Sequence, residues 1–437
     1  MCPAPGAACG ERLPPARRSA TLPPVPSTVP RPTQDWRVLV AVFWVVSMVE
    51  GLGVAQIFAF VPVYLREMGV PPDDRLAFVG LFSSLIFIVG APLVPLWGVW
   101  ADKYSRKAVI VRSALVEAVV FGLAAAAREP WQLALAMLLI GFQLGNTGVM
   151  LAGIRDVTPL ARLGLTIAIF GASGPVGFAV GPALGGFVVD GLGWSISAVF
   201  AVSSLLSIGT ALLVTFGSRE VRPTVVPEGP VVSLAFGAVR GVLGDPAVRR
   251  IFAIFGLAFL ATQMTRPYIP VLVEGIVGIG PGLASSIALV SGTAALVGAL
   301  ISPLGGALGD RIGFRTVLVA ALVGGALALL IMPSASTIPV LATAAVLLGM
   351  STAAVSAMIF GVLATEVQPE RRSATLNLVY LPLYLAGTIG PALAGVVVTV
   401  MGVSAPFVLG ALVFAFGAMA IVTLGRRGAG SPVSAGP

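Results

Sequence analysis

The chain has 437 residues, of which 57% are hydrophobic and only 10% are charged, and its formal net charge is +8. Soluble domains average about 25% charged residues, so this composition excludes a soluble protein and indicates a membrane protein. Basic residues are common in the short loops of membrane proteins, so the positive charge does not require a nucleic-acid partner.

The first segment, residues 1–35, is rich in Pro, Ala and Arg and contains no apolar run long enough for a signal sequence. We expect it to be a disordered cytoplasmic tail. The two cysteines of the chain, Cys2 and Cys9, lie in this tail, and the chain contains no histidine. The sequence therefore predicts no metal site, no structural disulfide and no cofactor.

From Trp36 onward, apolar stretches of about 20 residues alternate with short polar breaks, and each stretch is long enough to cross roughly 30 Å of hydrocarbon. They predict twelve membrane-spanning helices. The expected spans are 37–65, 77–100, 108–127, 131–153, 163–189, 194–217, 250–273, 282–308, 316–333, 337–364, 374–399 and 404–425.

The longest polar break, residues 218–249, predicts a cytoplasmic linker. It separates two six-helix bundles, at 36–217 and 250–425, and a short cytoplasmic tail follows at 426–437. Basic loops remain in the cytoplasm, so the distribution of Lys and Arg orients the chain. We expect both termini to be cytoplasmic, because the side that holds the N-terminal tail and the linker also holds every Lys and Arg except Arg66, Arg75, Arg128 and Arg266. We expect the membrane to be a bacterial plasma membrane.

A charged hinge interrupts the apolar pattern twice, between predicted helices 2 and 3 and between helices 8 and 9. The second copy follows the first by 208 residues, which indicates two copies of one unit around a central cavity. An acid among bases at a helix end predicts an ion-pair latch for one conformational state, and the glycines allow close helix approach. The hinge residues are Gly98, Asp102, Lys103, Arg106 and Lys107, then Gly306, Asp310, Arg311, Gly313 and Arg315.

This pattern, G-x-x-x-D-[RK]-x-G-[RK]-[RK], resembles the signature loop of the major facilitator superfamily. Ser105 replaces the usual glycine in the first copy, and Phe314 replaces a basic residue in the second. The resemblance covers residues 36–425 and implies an all-α membrane protein with twelve transmembrane helices in two parallel six-helix repeats. It also implies transport by alternating access, with helices 1, 4, 7 and 10 lining the central cavity.

Predicted helix 5 carries a series of small residues that lets another helix approach closely, with a proline that removes one backbone hydrogen bond. The series is Gly177, Gly181, Pro182, Gly185 and Gly186. It resembles the antiporter motif of the drug-exporting branch of the superfamily, although a glycine further upstream in that motif is Ala168 here. The resemblance implies export, whereas tight packing alone is the simpler interpretation.

A charged side chain inside the hydrocarbon costs roughly 2.5–3.5 kcal/mol on insertion, so each one indicates a functional site. Glu50 lies near the middle of predicted helix 1. Because a lone carboxyl at this depth is more stable when neutral, we interpret Glu50 as a group that exchanges a proton for a cationic substrate. A buried acid satisfied by neighbouring hydroxyls is the alternative.

We consider two further charges inside the predicted helices. Arg266, on helix 7, could face Glu50 across the cavity, bind an anionic group or extend outward to the lipid headgroups. Glu117, on helix 3, is interpreted as structural, because the resemblance implies that the third helix of each repeat lies away from the cavity. The alternative is that Glu117 carries the proton if Glu50 does not.

Uncharged polar residues complete the predicted site for protons and substrate: Gln56, Gln143, Asn146 and Gln263. Helix 4 contains no charge between Trp131 and Ile154. The drug:proton antiporters that this chain resembles commonly carry an arginine on helix 4, and alignment on Gly141 places Met137 there. We therefore expect Glu50 to couple proton and substrate by itself.

These observations favour a secondary transporter that exports a drug or small amphipathic metabolite by proton antiport. An importer or uniporter of a sugar or organic acid is the alternative, and it would predict more polar and aromatic residues on the cavity helices. An enzyme is not supported, because no histidine or sequence cluster of intramembrane carboxylates offers acid–base chemistry. The expected partners are a small-molecule substrate, protons and the lipid bilayer, without nucleic acid, and we expect a monomer.

Overall fold

The computed structural model describes residues 34–223, 226–366, 378 and 381–428. The predicted N-terminal tail up to Thr33 and the chain beyond Gly428 lie outside this described part. Every described element of secondary structure is a helix, and twelve helices are long and apolar enough to span a membrane. The predicted all-α fold with twelve spanning helices is therefore confirmed.

Helices 1–6 form the first half of the chain, and two of them begin at side-chain caps. The Asp35 carboxylate accepts a hydrogen bond from the Arg37 backbone N–H (3.0 Å), and the Ser105 hydroxyl accepts one from Ala108 (3.0 Å). Both caps satisfy amides that the first helical turn leaves free. The bounds are helix 1 (Trp36–Glu67), helix 2 (Pro72–Ile88 and Gly90–Lys103), helix 3 (Arg106–Ala126), helix 4 (Pro130–Leu139, a 3-10 turn at Ile140–Gln143, and Asn146–Val157), helix 5 (Leu160–Gly171, Ser173–Gly186 and a π-helical turn at Phe187–Gly191) and helix 6 (Ile196–Gly217).

The segment predicted as a linker contains a helix of its own, Val231–Leu243, which we call the linker helix. It packs against the second segment of helix 2 and the start of helix 7. Its 13 residues are too few to span a membrane, so hydropathy alone gave no reason to expect it. Helix 7 begins at Pro246, four residues before its predicted start at 250.

Helices 7–12 form the second half. Helix 7 is broken by a 3-10 turn where Pro267 removes a backbone donor, and Gly313, at a φ of 91°, ends helix 8. The bounds are helix 7 (Pro246–Thr265, a 3-10 turn at Arg266–Tyr268, and Ile269–Val277), helix 8 (Leu283–Ile312), helix 9 (Phe314–Ile331, with a 3-10 turn at Met332–Ser334), helix 10 (Ile338–Glu366), helix 11 (Leu381–Met401) and helix 12 (Ala405–Gly428).

The bundle has two faces, which we name after helix 1. The N-face holds its beginning at Trp36, and the opposite face holds its end at Glu67. Between the two halves, helix 11 packs mainly against Pro72–Ile88 of helix 2, and helix 8 packs against Ser173–Gly186 of helix 5. Both segments lie toward the opposite face, so the halves meet there and separate toward the N-face.

Candidate substrate and coupling site

Glu50 lies in the middle of helix 1 and is only 7% exposed. Its carboxylate accepts a hydrogen bond from the side-chain amide of Asn146, which is also buried. Asn146 follows Gly145, whose φ of 101° lets helix 4 turn and restart at this depth. The structure thus brings two predicted site residues, from helices 1 and 4, into direct contact.

Arg112 of helix 3 adds a positive charge that interacts electrostatically with Glu50. Its guanidinium lies 3.7 Å from the centroid of the Trp97 ring, and Nη2 donates to the carbonyls of Gln143 (3.3 Å) and Leu144 (3.4 Å). These carbonyls are free because helix 4 is interrupted there. Nε and Nη1 of Arg112 are buried without a hydrogen-bond partner in the described part of the chain.

Arg112 was not predicted as a site residue from the sequence, because it was grouped with the basic residues of the loops. Its place well inside helix 3 gives the signal that would have found it, since intramembrane charges indicate function.

The predicted glutamines of the first half lie in the packed interior. Gln56 donates to the Gly181 carbonyl (3.2 Å) and accepts from the Ser203 hydroxyl, so it joins helices 1, 5 and 6. The backbone carbonyl of Gln143 accepts a hydrogen bond from Ser113 (2.7 Å), whereas its side-chain oxygen is buried without a partner among the described residues. Both residues therefore connect helices around Glu50.

Glu117 also lies in this interior and is fully buried. Neither of its carboxyl oxygens has a hydrogen-bond partner among the residues that the structure describes. It interacts electrostatically with Glu50. The structure thus brings together the helix-1 acid and the helix-3 acid that the sequence analysis interpreted as structural.

Arg266 occupies the 3-10 turn of helix 7 and contacts aromatic rings of the first half. Its guanidinium lies 5.4 Å from the ring centroid of Phe58 and 5.1 Å from that of Phe178, within the range of cation–π interactions. Phe58 follows Glu50 by eight residues, about 12 Å along the helix axis. No ion pair joins Arg266 to Glu50 within the described residues.

Gln263, on the same helix as Arg266, is buried, and its side-chain oxygen has no hydrogen-bond partner in the described ranges. It belongs to the second half, so the predicted polar residues are divided between the two halves.

The small residues of helix 5 bring its backbone against helix 1. A Cβ added to Gly177 would overlap the Met48 carbonyl oxygen, and one added to Gly181 would overlap that of Leu52. The motif also includes the buried Pro182, Gly185 beside the Phe60 ring and Gly186 beside helix 8. Tight packing accounts for all of these positions, and the export role implied by the resemblance stays a prediction.

The first hinge copy forms a network at the N-face. Arg106 pairs with Asp102 (2.8 Å) and with Asp156 of helix 4 (2.7 Å). Glu220, after helix 6, accepts hydrogen bonds from the Ser105 hydroxyl and the Arg106 backbone N–H (2.9 Å). This carboxylate lies at the positive N-terminal end of helix 3, a favourable place for an anion.

The lysines of the first hinge copy contact backbone carbonyls. Lys107 donates to those of Thr215 and Ser218 (2.7 Å each), and Lys103 donates to that of Gly229 (2.5 Å). These partners belong to helix 6 and the linker segment, so the network stays within the first half and the linker.

The second hinge copy has fewer described contacts. Arg315 donates to the Ile421 carbonyl of helix 12 (2.8 Å), and Arg311 is exposed. The side chain of Asp310 lies outside the described part, so its role as a latch stays a prediction. A Cβ added to Gly98 or Gly306 would meet nothing within 4 Å, so the close approach expected at these glycines does not occur in this conformation.

At the opposite face, ion pairs join the two halves. Glu274 of helix 7 lies 3.2 Å from both Arg66 of helix 1 and Arg75 of helix 2. The Tyr268 hydroxyl donates to the Leu76 carbonyl (3.1 Å), again from helix 7 to helix 2. In the sequence, both arginines served only to orient the chain, although Glu274, an acid at the same face near the end of helix 7, was a signal for pairing.

Toward the N-face, a crevice lies between the halves. Helices 2 and 4 supply one wall and helix 11 the other. Its lining residues are Val94, Gly98, Asp102, Gly145, Gly148, Val149, Ala152 and Tyr384. Since Gly145 directly precedes Asn146, this crevice approaches the Glu50 site. Among the described residues, no cluster of Cys, Asp and Glu could hold a metal ion.

Comparisons with solved structures show the same fold. A bacterial homologue of the human lysosomal transporter Spinster, in an inward-facing and occupied conformation, superposes with a TM-score of 0.72 at 14% identity, over 90% of this chain and 98% of that one. The nucleoside transporter NupG gives a TM-score of 0.70 at 16% identity, over 88% of this chain and 99% of that one.

Relatives found by sequence comparison are more similar to this chain in sequence than these solved structures are. Multidrug resistance protein MdtG of Citrobacter koseri is 30% identical over 317 residues, which cover 71% of this chain and 75% of that protein. MdtG of Salmonella typhi is also 30% identical over 317 residues, with 71% and 76% covered. The profile of the Major Facilitator Superfamily matches residues 43–298 and 251–436. The chain therefore belongs to the major facilitator superfamily, as a multi-pass membrane transporter and not an enzyme.

Proposed function

We propose that this transporter exports a cationic, amphipathic drug or metabolite from a bacterial cell in exchange for protons. The observation that carries the proposal is the buried carboxylate of Glu50, held by Asn146 at mid-membrane depth beside a crevice that leads toward the N-face. A carboxylate in low dielectric is stabilised by a proton or by a cation, so the two compete for it. Such competition is the physical basis of antiport.

The direction of transport rests on two supports. The helix-5 motif resembles that of drug exporters, and the MdtG relatives are named multidrug resistance proteins. We further propose that the N-face is cytoplasmic, because it carries the basic tail, hinges and linker. In this conformation the site would then be accessible from the cytoplasm and closed to the outside.

We also propose how the chain moves. The halves 36–217 and 250–425 would rock against each other around the Glu50 site, with residues 218–249 as the flexible connection. The contacts of Glu274, Arg266 and Tyr268 across the halves would form in this state and break in the other.

The function is tested by measuring accumulation of lipophilic cations and neutral drugs in cells with and without the protein, each with and without a proton uncoupler. We expect expressing cells to accumulate less of a cation, and the uncoupler to remove this difference. Higher accumulation in expressing cells would instead support the importer and contradict export. A difference that persists with the uncoupler would contradict proton coupling.

The orientation predicts the behaviour of a reporter enzyme that is active only outside the cytoplasm. Fused after Arg427 it should be inactive, and inserted in the 66–76 loop it should be active. The reverse pattern would place the N-face outside and contradict the proposed direction of access.

A further inference from the structure

Helix 3 contributes a second buried carboxyl group that the proposed function does not use. We propose that Glu117 carries the proton that is exchanged for the substrate cation, and that Glu50 supplies the negative charge that binds this cation. The inference rests on the proposed function, because it assigns to two residues the proton carriage and the cation binding that the proposed function assigns to Glu50 alone.

The Glu117 carboxyl packs against helix 1 at a position without a side chain. A Cβ added to Gly53 would lie 2.8 Å from Glu117 Oε1 and 2.5 Å from a ring carbon of Phe121. Gly53 is about one helical turn beyond Glu50. The bare backbone of Gly53 therefore admits the helix-3 acid to the neighbourhood of Glu50, where two ionised carboxylates would repel each other.

Glu117 lacks the partners that an ionised carboxylate needs. It is 0% exposed, and neither oxygen has a hydrogen-bond partner in the described part of the chain. The Ser207 hydroxyl lies near it but donates to the Ser203 carbonyl (3.0 Å). A buried carboxylate whose one nearby donor is engaged elsewhere is disfavoured, so we infer that Glu117 holds a proton in this conformation.

Glu50 has the opposite surroundings. It is also buried, but it accepts a hydrogen bond from Asn146 and lies near the positive charge of Arg112, so of the two buried carboxyls it is the better stabilised as an anion. One positive charge on Arg112, one negative charge on Glu50 and a protonated Glu117 leave the cluster neutral. A neutral cluster is the state that a low-dielectric interior favours.

The neighbouring helices supply no other group for the exchange. Helix 6 has no Asp, Glu, Lys or Arg between Ile196 and Gly217. Helices 2, 4 and 5 carry charged residues only at their ends. The same is true of helix 1, with the exception of Glu50. At the depth of the cluster, the charged or titratable side chains of the first half are therefore those of Glu50, Arg112 and Glu117.

The exchange balances in atoms and charge. When a monovalent cation binds beside Glu50, the cluster gains one positive charge. Loss of the Glu117 proton restores neutrality: the O–H bond of the carboxylic acid breaks, the electron pair stays on the carboxylate, and the proton leaves to water on the side from which the cation entered. When the cation leaves on the other side, Glu117 takes up a proton there.

The test uses purified full-length protein in weak buffer, with tetraphenylphosphonium as the probe, and measures cation binding and proton release together. The wild type should release about one proton per bound cation, and its affinity should rise about tenfold per pH unit while Glu117 is protonated. Glu117→Gln should still bind the cation, release no proton and show an affinity independent of pH. Glu117→Asp, which restores a carboxyl, should recover the release.

Four further variants sharpen the result. Glu50→Gln should lose cation binding by about tenfold or more, because it removes the binding charge. Gly53→Ala should reduce proton release by displacing Glu117, whereas Gly209→Ala, at an exposed glycine whose added Cβ meets nothing within 4 Å, should not. Glu228→Gln, which removes an exposed charge in the linker, should behave as the wild type.

The outcomes separate the inference from the proposed function. If Glu117→Gln releases as many protons per cation as the wild type, Glu117 is not the proton carrier, and antiport through Glu50 stands. If the wild type binds the cation without proton release, or does not bind it, proton antiport itself is contradicted, and the inference with it.

Discussion

The two faces of the bundle are held by different kinds of contact. At the opposite face, the ion pairs of Glu274 and the hydrogen bond of Tyr268 join one half of the chain to the other. At the N-face, the ion pairs of Arg106 stay within the first half. Contacts that cross the halves must break when their face opens, whereas contacts inside one half survive. Substitutions at the opposite face should therefore change the conformational equilibrium, and those at the N-face should change the stability of the first half.

The largest effect is expected from Gly80→Ala, which breaks the closure of the opposite face. A Cβ at Gly80 of helix 2 would lie 2.5 Å from the Pro391 carbonyl oxygen and 2.6 Å from the Gly395 Cα of helix 11. Overpacking of this kind costs about 1–3 kcal/mol, which shifts an equilibrium about 5- to 150-fold. Distance measurements between spin labels on the two halves should show an opposite face that is open more often, with slower export.

Gly98→Ala is the matched control, because Gly98 lies on the same helix toward the N-face and its added Cβ meets nothing within 4 Å. For the conformation described here, we expect label distances at the opposite face close to those of the wild type. Equal effects of both substitutions would contradict the difference between the faces.

A smaller effect is expected from Glu274→Gln, which removes the acid shared by Arg66 and Arg75. These side chains are partly exposed, so the loss is about 1–2 kcal/mol, below the range for fully buried pairs. Cysteines placed in the 66–76 loop should become more reactive toward a water-soluble reagent. The control Glu129→Gln, at the same face in the first half, should leave the reactivity of these cysteines unchanged. If Glu274→Gln also leaves their reactivity unchanged, the ion pairs do not hold this face closed.

The smallest effects concern the first hinge. In this conformation Asp102 pairs within the first half and is about one-third exposed, so Asp102→Asn should lower the free energy of unfolding by about 0.5–1 kcal/mol. The latch predicted from the sequence would act when the N-face closes, so the substitution should also slow transport, while folding and membrane insertion remain largely intact. Arg106→Gln should cost more than Asp102→Asn in the same unfolding assay, because it leaves Asp102 and Asp156 without their shared partner. Normal transport by Asp102→Asn at normal expression would count against the latch.

The sequence predicted those features of the fold that depend on local composition. Twelve apolar stretches predicted twelve spanning helices, because each must satisfy its backbone hydrogen bonds within the membrane. The repeated hinge identified Asp102 and Arg106, which form an ion pair between the end of helix 2 and the start of helix 3. The linker helix escaped prediction because it is apolar but too short to span.

The candidate site was harder to predict from the sequence, because it is built from residues that are far apart in the chain. Glu50 and Asn146 are 96 residues apart, and Arg75 and Glu274 are 199 apart. No local pattern indicates that such residues meet. Glu117 was interpreted as structural for the same reason: its approach to helix 1 depends on Gly53, whose importance emerges only when helices 1 and 3 are packed together.

The central claim is that the Glu50 carboxylate couples cation export to proton entry. It is tested most directly in inside-out membrane vesicles with an acidic lumen, by measuring uptake of tetraphenylphosphonium by the wild type, Glu50→Gln and the control Glu228→Gln. The wild type and the control should accumulate the cation, an uncoupler should abolish this accumulation, and Glu50→Gln should not accumulate it. Uncoupler-sensitive accumulation by Glu50→Gln at the wild-type level would contradict the claim.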